Sequence, residues 1–158
     1  MNITIISVGK IKEKYFTAAI AEYSKRLSRF AKLNIIEVAD EKIPDNASEK
    51  EMEQIKEKEG NKILAKLPQN SFVVTLCIEG KEHSSEELAK KIADISMTSS
   101  HITFIIGGSL GLSDTVKSKS ALRLSFGKMT LPHQLMRVVL LEQIYRAFKI
   151  NNNESYHK

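Results

Sequence analysis

The sequence predicts a single α/β domain over residues 1–158, built on a mostly parallel sheet that is flanked by helices. Short runs rich in β-branched residues alternate along the chain with segments of helical periodicity, which is the pattern of βαβ units. No linker-like segment interrupts this alternation, and 158 residues with 42% hydrophobic content are enough to form one core. These observations favour one compact unit with helices packed on a parallel sheet.

The strands are predicted from short apolar runs that are bounded by turn-forming or polar residues. The first run is ended by Gly9, and the third lies between Asn70 and Gly80. The run before Gly107 is the most uniformly apolar, as expected of a buried central strand. The five predicted strands cover residues 2–8, 33–38, 72–78, 102–106 and 122–126.

The helices are predicted from apolar residues at three- and four-residue spacing and from capping residues. Ser48 and Glu51 form a capping box at the start of the second helix. In that helix, Glu53, Glu57 and Glu59 are interleaved with lysines, so we interpret them as a solvated face and not as acids, bases or metal ligands. The predicted helices cover residues 16–30, 49–67, 86–97, 115–120 and 132–148.

Composition excludes several classes of protein and favours a cytoplasmic one. No apolar run approaches the ~20 residues that span a bilayer, so no membrane partner is expected. The only cysteine, Cys77, excludes a disulfide framework, and no metal-ligand cluster is visible, so no metal is expected. Residues 115–158 hold eight basic and two acidic side chains, a net charge of +6. This asymmetry favours a polyanion such as RNA or DNA, although excess lysine also serves solubility.

Two loops are candidates for contact with a ligand. The first carries Gly107, Gly108 and Gly111 directly after a predicted strand, and the second, residues 126–133, leads into the last helix. No Lys-Ser or Lys-Thr pair directly follows Gly111, which argues against a Walker A loop, and the spacing of the glycines does not fit the dinucleotide fingerprint. Backbone groups of both loops nevertheless suit an adenosine moiety. Leu76 lies near the carboxyl end of its strand, where open α/β sheets bind ligands.

The last helix is apolar around nearly all of its circumference, so it must be covered on more than one side. We expect the sheet to cover one side and a second subunit the other, which predicts a homodimer. His133 and Arg137 share one face of its first turns and form a candidate site. Glu142 and Arg146, also four residues apart, are interpreted as an ion pair.

Several motifs together resemble those of a known family. They are Ile105-Ile106-Gly107-Gly108-Ser109, Met129-Thr130-Leu131-Pro132-His133-Gln134, Arg137-Val138, Glu142-Gln143-Ile144-Tyr145-Arg146-Ala147 and the terminal Tyr156-His157-Lys158. With Val8-Gly9-Lys10 at the start and Glu57-Lys58-Glu59-Gly60 in the middle, the match covers essentially the whole chain. In order and length these motifs strongly resemble the ribosomal large subunit methyltransferase H family of the SPOUT superfamily.

The resemblance implies a SPOUT-type fold with a C-terminal trefoil knot, a homodimer, and S-adenosylmethionine (SAM) as cofactor. It further implies methylation at N3 of a pseudouridine, position 1915 in helix 69 of 23S rRNA, on the assembled ribosome. Carried onto this chain, the cofactor-binding residues are Leu76, Gly108, Gly127, Lys128, Met129, Thr130, Leu131 and Pro132.

By the same resemblance and by chemical type, the candidate catalytic residues are His133, Arg137, Tyr156 and His157. The acceptor nitrogen must lose its proton in order to attack a methyl group, so a base or a proton route is needed. Arg137 is expected to steer phosphate or polarise the base, and Tyr156 or His157 to touch the pseudouridine. In a dimer the terminal tail is expected to reach the partner's cofactor. Two other functions stay open: a non-catalytic ribosome- or RNA-binding factor with a nucleotide-binding loop, and a nucleotide-binding oxidoreductase.

Overall fold

A computed structural model describes residues 1–158 as five strands and five helices that alternate along the chain. In chain order they are β1 (Asn2–Val8), α1 (Lys14–Leu27), β2 (Lys32–Val38), α2 (Glu49–Lys66), β3 (Phe72–Glu82), α3 (Ser85–Ser96), β4 (His101–Ile106), α4 (Asp114–Ser118), β5 (Leu122–Ser125) and α5 (His133–Asn151). The strands form one parallel sheet in the order β2-β1-β4-β3-β5. The predicted α/β class is confirmed.

Helices cover both faces of the sheet, because the strands carry apolar side chains on both faces. Ile3 and Ile5 of β1 contribute to a core cluster that includes apolar residues of α1, α3 and α5. Ile6 and Val8 of the same strand belong to a second cluster with apolar residues of α2 and α4. Because successive side chains of a strand point to opposite faces, one short apolar run supplies both cores.

Helix α5 lies between α1 and α3 on the first face of the sheet. Leu140, Leu141, Ile144 and Ala147 are buried there, and the ring of Phe148 stacks on Phe30 at 5.7 Å between centroids. Coverage of α5 beyond the sheet therefore comes from neighbouring helices of the same protomer. The apolar pattern of α5 correctly predicted that the helix is covered on more than one side. Because helices of the same protomer provide that cover, the homodimer stays a prediction.

Strand β3 extends to Glu82, four residues beyond its predicted end. Leu76 and Lys81 both align with Leu124 of β5, so the intervening residues bulge out of the ladder. Gly80 allows this second approach, because a Cβ atom there would lie 2.7 Å from the carbonyl oxygen of Arg123. The bulge sits where the sheet meets the loops that follow β4 and β5. The trefoil knot implied by the resemblance stays a prediction.

No helix combines the length and apolarity needed to cross a bilayer. No three His, Cys, Asp or Glu side chains lie close enough together to hold a metal ion.

Candidate active site

A cleft of about 730 Å³ opens at the carboxyl ends of β3 and β4. Its walls are the β3 bulge, the glycine-containing turn after β4, and the loop between β5 and α5 together with the first turn of α5. The volume is in the range of pockets for small molecules and cofactors, and the position is where open α/β sheets bind their ligands. The cleft is therefore the candidate active site.

The structure brings together residues that are far apart in the sequence but share the expected cofactor-binding role. The cleft is lined by Leu76, Gly108, Gly127, Met129, Thr130, Leu131 and Pro132. Lys128 belongs to the same loop but is exposed and does not line the cleft. Because β3 and β4 are neighbours in the sheet, their carboxyl ends place Leu76 beside the glycine turn.

The glycine turn is closed on itself. The amide of Gly111 donates to the carbonyl oxygen of Gly108 over 3.0 Å. A Cβ atom at Gly107 would lie 2.8 Å from the carbonyl carbon of Gly111, so the turn closes this tightly only because residue 107 has no side chain. This wall of the cleft is therefore formed by closely packed backbone.

Ser125, which sequence reasoning did not single out, joins two other walls of the cleft. Its buried hydroxyl donates to the carbonyl oxygen of Ile78 over 2.9 Å and accepts from the amide of Gly127 over 3.1 Å. These bonds tie the β3 bulge to the loop after β5. A serine at the end of a short strand carries no sequence signal of such a role, because its partners are set by tertiary structure.

His133 begins α5 at the edge of the cleft. Its ring packs against Gly9, with Cε1 3.1 Å from the position that a Cβ atom would take there, and its buried Nδ1 has no hydrogen-bond partner. Burial, followed by the nearby charge of Arg137, lowers the pKa of His133 below its usual value, although Asp40 and Glu13 act in the opposite direction. The imidazole is therefore neutral at pH 7, the state in which it can accept a proton.

Arg137 is one turn further along α5 but points into the protein, with only 2% of its surface exposed. Its guanidinium donates to Glu37 over 2.5 Å and to the carbonyl oxygen of Gly9 over 2.6 Å. It thus ties α5 to the ends of β1 and β2 and presents no donor to solvent in this arrangement. Arg137 holds the first turns of α5, and with them His133, against Gly9. Its expected role of steering phosphate or polarising the base stays a prediction.

Tyr156 and His157 fold back on their own protomer. The Tyr156 hydroxyl donates to Glu142 over 2.7 Å, and His157 Nε2 lies 2.7 Å from a carboxylate oxygen of Glu86. Arg146 pairs with Glu142 at 2.6 Å, which confirms the predicted ion pair, and lies over the Tyr156 ring at 4.5 Å. Burial and then the Glu142 carboxylate raise the pKa of Tyr156 to about 12, so its hydroxyl stays protonated at pH 7.

The structure separates this tail from the cleft within one protomer. Glu142 and Arg146, which hold the tail, follow His133 by nine and thirteen residues of continuous helix, or about 14 and 20 Å along the axis of α5. The four candidate catalytic residues therefore form two groups. His133 and Arg137 lie at the cleft end of α5, and Tyr156 and His157 are held further along the helix, at Glu142 and Arg146.

The interpretation of Glu59 as part of a solvated face was wrong. This residue is only 5% exposed, and its carboxylate accepts a hydrogen bond of 2.9 Å from the amide of Glu41. The alternating charges along α2 gave no indication that Glu59 is buried. The β2–α2 loop and the glycine turn cover only one short part of an otherwise charged helix. Two features distinguish this part of the sequence: it belongs to the Glu57-Lys58-Glu59-Gly60 motif, and Gly60 admits Ser113 closely.

A family model described as a predicted SPOUT methyltransferase matches residues 1–157. The chain belongs to the SPOUT methyltransferase family. Proteins named ribosomal RNA large subunit methyltransferase H are 60% identical in Clostridioides difficile and 62% in Clostridium novyi, each over the full length of both chains. The family resemblance predicted from the motifs is therefore confirmed.

Solved structures of lower sequence identity share the fold. A tRNA (m1G37) methyltransferase from Aquifex aeolicus has a TM-score of 0.54 and 13% identity over 92% of this chain and 70% of its own. A protein from Legionella pneumophila, solved in complex with the bound cofactor SAM, has a TM-score of 0.50 and 13% identity over 94% of this chain and 66% of its own. These similarities establish the SPOUT methyltransferase fold.

Proposed function

We propose that this protein uses SAM to methylate 23S rRNA at N3 of pseudouridine 1915, in helix 69 of the assembled ribosome, in the cytoplasm. The observation that carries the proposal is the full-length identity of 60% and more to proteins named ribosomal RNA large subunit methyltransferase H. The cleft supports it, because the loops that carry the family motifs are the ones that meet there.

The cleft fits the cofactor. The glycine turn offers backbone without side chains, and Met129 and Leu131 add apolar surface that is 87% and 37% exposed. Pro132 precedes α5 without a side-chain cap, so the first amides of the helix have no side-chain partner. Leu76, Gly108 and the loop from Gly127 to Pro132 would hold the cofactor. When bound, SAM supplies a methyl group on a positively charged sulfur.

The protein must also manage the proton of the acceptor nitrogen. His133 is neutral and lies at the cleft, so we assign it the role of proton acceptor, directly or through water. Arg137 positions it by fixing the first turns of α5 against Gly9. Positioning of the reactants supplies a large share of the rate of such a displacement. The acceptor base is therefore expected to lie in the cleft, next to the cofactor.

Tyr156 and His157 contribute in this proposal from a second copy of the chain. Within one protomer they are held at Glu142 and Arg146, about 14 and 20 Å along α5 from His133. A homodimer that places the tail of one protomer over the cleft of the other would bring the two groups together. The proposed active enzyme is therefore a homodimer with two shared sites.

The test is methyl transfer from tritiated SAM to ribosomes that lack the modification. We expect incorporation into assembled ribosomes and much less into naked 23S rRNA, with the modified base located by mass spectrometry at position 1915. Ribosomes that carry uridine in place of this pseudouridine are the matched control and test whether the enzyme requires pseudouridine. Equal methylation of naked rRNA would contradict the ribosome substrate, and incorporation at another nucleotide would contradict the site.

The basic region from residue 115 to 158, of net charge +6, supports a second candidate, a ribosome- or RNA-binding factor without catalysis. Calorimetry separates the candidates. The methyltransferase binds SAM and S-adenosylhomocysteine (SAH), whereas a protein that binds neither but retains ribosomes would be the binding factor. A protein that binds NAD instead would be an oxidoreductase.

A further inference from the structure

Glu59 is a buried carboxylate that the proposed reaction does not use. It lies in the middle of α2 with 5% of its surface exposed and takes part in no salt bridge. Its hydrogen bond comes from the backbone amide of Glu41. A buried charge of this kind is costly unless a positive group compensates it, so its persistence at this position requires an explanation.

Its position relative to the cleft suggests one. A Cβ atom at Gly108 would lie 3.3 Å from Glu59 Oε1 and 3.1 Å from the Val8 side chain. The carboxylate therefore packs directly behind the turn that forms a wall of the cleft. Only the backbone of a glycine separates it from the space in which a ligand would lie.

The other charges near Glu59 do not neutralise it. Asp40 and Glu41, from the β2–α2 loop, are both negative, and Lys62 is a positive group on its own helix. Lys62 is bound to Glu41 at 2.8 Å and to the carbonyl oxygen of Ala39 at 3.1 Å. Lys58 is a second positive group near Glu41. With two lysines set against three carboxylates, the region behind the glycine turn has a negative potential when Glu59 is ionised.

We propose that the Glu59 carboxylate makes the cleft prefer the positively charged sulfonium of SAM to the neutral thioether of the product SAH. The inference rests on the proposed function, since it concerns the same cofactor. A charge shielded from water acts strongly over a few ångströms, so the arriving sulfonium is attracted and the product is not. Loss of the methyl group removes that attraction and favours exchange of product for fresh cofactor.

The preference depends on pH in a defined direction. Burial raises the pKa of Glu59, with the amide of Glu41 opposing and Asp40 reinforcing the shift. A cation in the cleft stabilises the ionised form, so SAM binding releases protons at pH values where free Glu59 is partly protonated. The affinity ratio between SAM and SAH therefore falls as the pH is lowered through the titration of Glu59.

The experiment measures dissociation constants of SAM and SAH by calorimetry for the full-length wild type, Glu59→Gln and Glu57→Gln. Glu57 is the matched control, because it lies on the same helix and bonds to Thr115 on the protein surface. For Glu59→Gln we expect SAM to bind about tenfold more weakly and SAH to change less than twofold. Glu57→Gln should change neither constant.

Each outcome has a defined meaning. An equal loss for both ligands in Glu59→Gln shows a purely structural role and overturns the proposal, as does an unchanged ratio. If Glu59→Gln does not fold, the wild type decides: its SAM-to-SAH affinity ratio must fall as the pH is lowered from 7.5 towards 4.5, the ordinary pKa of a glutamate, and a constant ratio over that range overturns the proposal. A wild type that binds neither compound refutes the proposed function itself, which distinguishes the two failures.

Discussion

Replacing Arg137 with alanine is the most direct test of its structural role. The change removes the bond to the carbonyl oxygen of Gly9, which is left buried without a partner at a cost of about 1–3 kcal/mol. It also removes the pair with Glu37, whose side chain is 38% exposed and can rehydrate, so that loss is about 1 kcal/mol. Together we expect the free energy of unfolding to fall by about 3 kcal/mol.

The assay is urea denaturation followed by far-UV circular dichroism, with a thermal scan in parallel. For a chain of this length, about 3 kcal/mol corresponds to a melting temperature lowered by roughly 6–12 °C. Lys90→Ala is the control, because it breaks an ion pair of 2.8 Å to Asp94 whose side chains are 77% and 56% exposed. That variant should change the free energy of unfolding by less than about 0.5 kcal/mol.

The result also tells a structural from a chemical role. Arg137→Lys keeps the charge but loses the fork that reaches Glu37 and Gly9 together, so we expect an intermediate loss of stability. A loss below about 1 kcal/mol in Arg137→Ala would refute the reasoning about burial. If methyl transfer were then abolished in a stable variant, Arg137 would instead have the chemical role that the resemblance implies.

Three further predictions concern the helix under the glycine turn, the first residue of α5 and the tail. Gly60→Ala places a Cβ atom 2.6 Å from the hydroxyl oxygen of the buried Ser113. The free energy of unfolding in urea should fall by about 1–3 kcal/mol, and no loss would contradict this. Burial lowers the pKa of His133 below 6.5, so as the pH falls the unfolded chain binds this proton before the folded one does, and the free energy of unfolding decreases below about pH 6.5. Urea denaturation at pH 7.5 and at pH 5.5 should show a smaller decrease for His133→Gln than for the wild type. Equal decreases would contradict this. A chain ending at Ser155 should bind SAM and dimerise normally in calorimetry and sedimentation yet fail to methylate ribosomes, and full activity would remove the tail from the site.

The sequence predicted most of the residues that line the candidate cleft. Gly108 and the loop before α5 were identified as ligand loops because glycines follow an apolar strand and a proline opens a helix, and both loops do line one cleft. His133 was identified for its chemistry at the start of that helix. Ser125 was missed and Glu59 was assigned to a solvated face, because their contacts with the β3 bulge and the glycine turn are not encoded in any local pattern.

By itself the sequence determined the α/β class, the alternation of elements and the family, because periodicity, capping and motif order are local properties of the chain. The tertiary structure decided which residues come into contact where no sequence pattern predicts the contact. Parallel pairing of β3 with β4 placed Leu76 beside the glycine turn, and packing turned Arg137 inward and buried Glu59 behind Gly108. A charged side chain on an amphipathic helix has the same pattern whether it is solvated or covered, and only the fold of distant segments decides which.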